Sequence, residues 1–223
     1  LPGLRDLCAR DAAAARERQE RLRALVRVEP LDLGSLRLVG AADVTFLEGK
    51  DEVAAALVVA DAATKAVVEE RTAVVRATFP YVPGYLSFRE GPAVAAAWRA
   101  VRRKPDVLLF DGHGLAHPRR FGLASHLGVV LDVPSVGCAK SPLVGEYREP
   151  GLRRGSQSPL VHAGEAVGAV LRTRDGVRPV FVSVGHRVDL ATAVALVLSL
   201  CSRYRLPDPA RRAHELCRLL RRR

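Results

Sequence analysis

The chain is 223 residues long, 48% hydrophobic and 26% charged, with a formal net charge of +11. That length accommodates a substantial core in one domain, and the balance of apolar and charged residues excludes a disordered chain. The scattered cysteines Cys8, Cys138, Cys201 and Cys217 form no C-x-x-C pair, which argues against a zinc knuckle or a disulfide scaffold, and the apolar run 190–201 is too short to span a bilayer.

Residues 4 to about 28 are rich in Ala, Arg and Leu, with Leu4, Leu7, Leu22, Leu25 and Val26 at helical spacings, and read as an amphipathic helix. Three β-rich runs follow, 36–46, 53–60 and 66–77, separated by turns so short that the strands must run antiparallel. After a loop punctuated by Pro and Gly, residues 88–103 carry Val94, Ala97, Trp98 and Val101 on one helical face. A buried strand over 107–111, a helix over 120–127 and a strand over 134–139 complete the order β-β-β-α-β-α-β, whose second half implies parallel neighbours. The segment 145–158 has the Arg and Gly content of a mobile surface loop. Strands 166–172 and 178–184 form a hairpin turned by Asp175-Gly176, and helices over 190–204 and 209–222 close the chain. The reading is α/β: a ribonuclease H-like mixed five-stranded central sheet flanked by helices, with an added hairpin and C-terminal helices. That order alone is analogy and fixes no chemistry.

Charge opens the functional question. It comes almost wholly from arginine, whose forked guanidinium pairs with phosphate, although a solvated basic face is an equal reading of charge alone. With no basic start preceding an apolar signal segment, an intracellular, cytoplasmic protein that does not engage membranes is expected.

Two carboxylates interrupt apolar strands: Asp43 within 38–46, and Asp111 at the end of Val-Leu-Leu-Phe. An interior carboxylate must be paired, protonated or bound to metal; either one alone reads as a turn cap or a solvated side chain. Glu90, at the start of the helix after the Pro/Gly loop, ordinarily just answers the helix dipole. Together the three form an oxygen-rich site for Mg²⁺ of the kind that hydrolyses phosphodiesters. Lys140 follows strand 134–139 directly and can steady a phosphate, in a chain with only four lysines; a surface lysine is its ordinary reading. His113 and His117 have the spacing of a helical zinc pair, but Gly112, Gly114 and Pro118 disfavour a helix there. No nucleophile elbow and no phosphate-binding Gly-rich loop is present.

The most unusual stretch is Phe79-Pro-Tyr-Val-Pro-Gly-Tyr-Leu-Ser-Phe88. Prolines stiffen a loop presenting Tyr81 and Val82, as a wedge entering a base stack requires. The plainer reading is a rigid corner whose aromatics plug the core, which suits Phe79 and Phe88 better than Tyr81.

The stretches Pro80-Tyr-Val-Pro-Gly-Tyr-Leu-Ser-Phe-Arg-Glu-Gly-Pro92 and Asp111-Gly-His-Gly-Leu-Ala-His-Pro-Arg-Arg-Phe-Gly-Leu-Ala-Ser-His126 closely resemble endonuclease V. So do Val39–Phe46, Gly137–Lys140, Gly185–Val188 and Tyr204–Pro209, and the resemblance covers residues 5–217 of a single domain spanning 1–223, leaving 218–223 as a basic tail of open role. Thr45 and Cys138 depart slightly from the family's pattern. The resemblance implies a ribonuclease H-like fold and a Mg²⁺- or Mn²⁺-dependent endonuclease of DNA repair. It implies cleavage of the second phosphodiester bond 3′ to deoxyinosine, leaving 5′-phosphate ends. It carries metal binding onto Asp43, Asp111 and Glu90, and catalytic roles onto these three, Lys140 and His214. It makes Pro80, Tyr81, Val82 and Pro83 a strand-separating wedge, and Gly84, Leu86, Gly112 and Gly114 the backbone around an extruded base. His117, Arg119 and Arg120 are candidate phosphate contacts. The expected partner is a nucleic acid containing deoxyinosine or inosine, bound by a monomer. The rivals are an inosine-specific endoribonuclease of the same fold, distinguished only by contact with the 2′-hydroxyl, and a noncatalytic basic binding module, which would gain nothing from carboxylates facing phosphate.

Overall fold

Turns at residues 47–51 and 62–66 fold the chain back on itself twice, so β1 (Leu38–Phe46), β2 (Glu52–Asp61) and β3 (Val67–Arg76) pair antiparallel in succession. In the computed structural model, which describes residues 2–221, helical crossovers then add β4 (Val107–Phe110) and β5 (Ser135–Ala139) parallel to β1. This is the ribonuclease H-like arrangement expected from the sequence. β6 (Gln157–His162), β7 (Glu165–Leu171) and β8 (Val180–His186) extend the same sheet, giving the order β3-β2-β1-β4-β5-β8-β7-β6.

Strand alternation sends successive side chains to opposite faces. Ala42, Leu57, Leu108 and Phe110 pack with α2 (Leu86–Ala100) and α3 (Leu123–Leu131) on one face. Val39, Ala41, Val107, Leu109, Val136 and Cys138 pack on the other, beneath α4 (Leu190–Leu200), while α5 (Asp208–Leu220) lies over β1 and β2. α1 (Ala12–Arg23) contacts α3.

Several expectations change. The single N-terminal helix is two pieces, a 3-10 turn Leu4–Leu7 and α1, because Asp11 caps the new start by accepting from Ala14 N at 2.8 Å. The hairpin is not an appendage: its second strand pairs with β5 and its first with β6, so the five-stranded core runs on into eight strands. β6 escapes the sequence reading because Pro159 breaks a polar stretch, and proline is tolerated there only because β6 is an edge strand. Nor is 145–158 free: buried Arg172 donates to Gly151 O (3.0 Å), Pro150 O (2.8 Å) and Glu149 (2.8 Å). α3 starts at Leu123 rather than Arg120, whose φ of 54° is not helical, and α4 ends at Leu200, before Tyr204. The end of the last predicted helix at Arg222, and tail residues 222–223, lie outside the described residues.

Candidate active site

The alternation that buries Val39 and Ala41 points Asp43 to the face of α5, and that of Val107 and Leu109 does the same for Asp111. Parallel register opposes Ala42 and Phe110, so the two carboxylates emerge side by side. Lys140 follows Val136 and Cys138 in the same alternation, and its ammonium forms an ion pair with Asp111. From α5, His214 Nδ1 lies 2.8 Å from Asp43 Oδ2. One ligand atom each from Asp43, Asp111 and His214 falls within 4.8 Å of the others. Two carboxylates and an imidazole are ligand types that can hold a divalent cation. Burial and then Asp43 push the nearby Cys217 thiol up to about 12.

Glu90 approaches from α2, in the opposite helical layer, and is buried. Burial first, then the charges of Asp43 and Asp111, push its carboxyl up to about 8. Asp43 is raised too, by burial and by Asp111, against the opposing hydrogen bond from His214. The three acids thus repel one another at close quarters, the condition that a bound cation relieves.

Beside this acidic centre opens a cavity of about 350 Å³, within the range of small-ligand sites. Its walls include Tyr81, Gly84, Leu86, Gly112, Lys140 and Leu143. Tyr81 stands at the lip, 67% exposed, while Phe79 and Phe88 are buried and stack 5.7 Å apart, so the two readings of this loop apply to different residues. Gly114 does not line the cavity. It packs against β8, where a Cβ would lie 1.9 Å from Val184 O.

Gly84 turns the loop with φ +81°. Its carbonyl accepts from Gln19 Nε2 (3.0 Å), His117 Nε2 (3.0 Å) and Arg119 Nη2 (2.6 Å). His117 Nδ1 in turn accepts from Arg119 N at 3.2 Å, which fixes its neutral tautomer. Burial and the Arg119 charge lower this imidazole to about 4. Arg119 also donates to Gln19 Oε1 (2.6 Å) and stacks 4.1 Å over Tyr85. Arg120 donates to His162 O (2.8 Å) and pairs with Glu165 (3.1 Å). His113 bonds a different carbonyl, Ser141 O at 3.0 Å, so the two histidines do not converge.

Two contributors were missed in the sequence. Gln19 lies on the buried stripe Ala15-Gln19-Leu22 of α1, where a lone polar residue at helical spacing was the available signal. Arg205 donates to Lys140 O and Pro179 O, both at 2.6 Å, and carried no signal beyond its place in Tyr204–Pro209.

The family model for endonuclease V matches residues 20–215. Endonuclease V of Streptomyces coelicolor is 54% identical over 205 residues, 92% of this chain and 88% of that protein. The crystal structure of endonuclease V from Streptomyces avermitilis superposes with a TM-score of 0.92 at 49% identity, covering 95% of this chain and 93% of that one. Endonuclease V of Ciona intestinalis, in complex with a 24mer DNA containing an inosine followed by a ribo-adenosine, gives a TM-score of 0.82 at 28% identity, covering 93% and 96%.

Proposed function

Because the chain belongs to the endonuclease V family, we propose that it is a single-domain nuclease that recognises deoxyinosine and hydrolyses the second phosphodiester bond 3′ to it, leaving a 5′-phosphate. The observation that carries this reading is the convergence of Asp43, Asp111 and His214 within 4.8 Å beside a cavity whose lip bears exposed Tyr81. A base-sized cavity next to a cation-binding acidic centre is what cleavage beside an extruded base needs. The inosine in the DNA bound by the Ciona protein supports the same substrate.

Asp43 and Asp111 would hold the cation, Mg²⁺ or alternatively Mn²⁺. When bound, it neutralises charge at the scissile phosphate and acidifies water. His214 orients Asp43 through its Nδ1 contact. Lys140, paired with Asp111, swings its ammonium to phosphate oxygen. Glu90, its carboxyl raised to about 8 by burial and the two aspartates, would be drawn toward its ionised form by a bound cation. Pro80 and Pro83 stiffen the loop that drives Tyr81 and Val82 into the stack, and Gly84, Leu86 and Gly112 enclose the base. Gly114 supports that wall from behind. Phosphate contact by His117, Arg119 or Arg120 has to be made in exchange for their present internal bonds. The enzyme works as a monomer. Its site of action is the cytoplasm, a reducing compartment that suits four free thiols.

Incubation with labelled strands carrying deoxyinosine, inosine in RNA, deoxyuridine or no lesion, with and without Mg²⁺, tests the proposal. Metal-dependent cleavage beside deoxyinosine is expected. Cleavage of the RNA strand alone favours the endoribonuclease, and binding without cleavage favours the noncatalytic module.

A further inference from the structure

The arginines of this chain differ in how they are paired and grouped. Arg16 pairs with Glu20, Arg21 with Asp6, Arg211 with Glu215, Arg212 with Glu70 and Arg221, just beyond α5, with Glu48, and the exposed arginines without a carboxylate partner among the described residues include Arg5, Arg23, Arg76, Arg99 and Arg218, which stand singly on five different elements. By contrast, Arg148, Arg153, Arg154, Arg174, Arg178 and Arg203 are exposed on adjoining loops, and none has a carboxylate partner among the described residues. Two of the nearby acids are engaged by other groups, while Glu146 and Asp208 form no salt bridge with these arginines among the described residues. Asp175 accepts from Arg154 N at 2.5 Å, and Glu149 accepts from buried Arg172.

Three loops carry these six side chains, and backbone contacts lace them into one face. Gly155 N donates to Arg172 O (2.8 Å) and Gly176 N to Leu152 O (2.9 Å). Arg154 reaches Leu198 O (2.6 Å) and Cys201 O (2.9 Å), and Arg174 reaches Arg203 O (2.7 Å). The face therefore forms without ordering a mobile loop on binding, and that lowers the entropic cost of using it.

Its position joins it to the acidic centre. Antiparallel register sets Ala139 opposite Phe181, so the turn between β7 and β8 lies at the same end of the sheet as Lys140. Arg205 bridges the two, donating to both Lys140 O and Pro179 O. Exposed guanidinium groups without carboxylate partners, on hydrogen-bonded loops at the same end of the sheet as a phosphodiester-cleaving centre, have the chemistry of a phosphate track.

We propose that this face is a second footing for the nucleic acid, gripping backbone phosphates of the duplex on one side of the lesion, beyond the reach of the cavity. The proposal rests on the reading of the substrate as nucleic acid and adds where the flanking duplex lies. Such contacts carry no sequence information, so they set affinity and register rather than the choice of base.

The test uses the full chain and the variant R148Q/R153Q/R178Q/R203Q, because none of these four side chains makes an internal hydrogen bond among the described residues. Fluorescence anisotropy without divalent metal measures binding across a salt series. The substrates are hypoxanthine-containing duplexes with long arms on both sides, on the 5′ side only, on the 3′ side only, and on neither. With both arms present, the variant is expected to bind roughly tenfold or more weakly, and its salt slope to fall by about 2 to 4, since each phosphate contact contributes about 0.9. One single-arm duplex should reproduce that loss; the other and the armless one should not. The all-lysine version of the four should keep most of the slope. An unchanged slope on the two-armed duplex overturns the proposal, and so does an equal loss on all four substrates. Duplexes with adenine in place of hypoxanthine should show the same change in slope, so the footing is judged separately from inosine cleavage.

Discussion

The acidic centre and the neighbouring cavity share Asp111 in their walls and are held in opposite ways. At the centre, Asp43, Asp111 and Glu90 repel one another, and Lys140, His214 and the charge of Arg89 answer them only in part. At the cavity, one carbonyl at Gly84 accepts three donors, and His117 behind it is bonded on both ring nitrogens. The first region is left electrostatically unsatisfied and completed by what binds there. In the second, the Gly84 carbonyl in the turn that follows Tyr81 has its donors in place before substrate arrives. Chemistry and recognition should therefore respond differently to mutation, to metal and to pH.

The largest effect is expected at the centre. Asp43→Ala or Asp111→Ala should lower single-turnover cleavage by at least about 10³-fold, roughly 4 kcal/mol in the barrier. Binding of a lesion strand should survive within a few fold. Normal turnover by either variant in Mg²⁺ would remove the metal-site assignment.

Proton linkage sharpens the contrast because the two regions titrate in opposite directions. With Glu90 raised from 4.5 to about 8, the folded, metal-free protein holds a proton that the unfolded chain releases. Stability should then fall as pH rises through that window, by up to roughly 5 kcal/mol. Behind the cavity, where His126 bonds Ser87 Oγ of the wall at 2.8 Å, burial lowers His126 to about 3 and His117 to about 4, from 6.5. There the unfolded chain takes the proton first, and stability should fall as pH drops below 6.5. Thermal melts across pH check both limbs: Mg²⁺ or Glu90→Gln should flatten the alkaline limb and leave the acid limb alone. An alkaline limb indifferent to both would mean that Glu90 does not share the field of the two aspartates.

A smaller effect is expected at the wedge. Tyr81→Ala should slow cleavage of a paired deoxyinosine duplex by roughly 10- to 100-fold more than that of a single strand, because only the duplex has to be unstacked. Equal loss on both, with a lowered Tm, would make Tyr81 a structural plug. Smallest of all, Gln19→Leu removes one donor from Gly84 O and the acceptor of Arg119. It should destabilise the protein by about 1–2 kcal/mol and raise KM more than it lowers kcat, as steady-state kinetics alongside melts would reveal.

The sequence by itself determined what local periodicity encodes. Strand alternation put Asp43 and Asp111 on the same side as Val39, Ala41, Val107 and Leu109. The short turns forced the antiparallel start, and the proline pair marked Tyr81 as the aromatic without a place in the core. Tertiary structure alone decided the rest. His214 meets Asp43 across 171 residues of chain, and Gln19 reaches Gly84 across 65. Arg172 pins a loop whose composition reads as mobile, and Pro159 sits in a strand because that strand is at the edge. The raised carboxyl of Glu90 likewise requires burial and two aspartates brought in from other strands. Periodicity is a property of neighbours along the chain and survives in a sequence; register, burial and the field at a buried atom are sums over distant segments, and they exist only once those segments have packed.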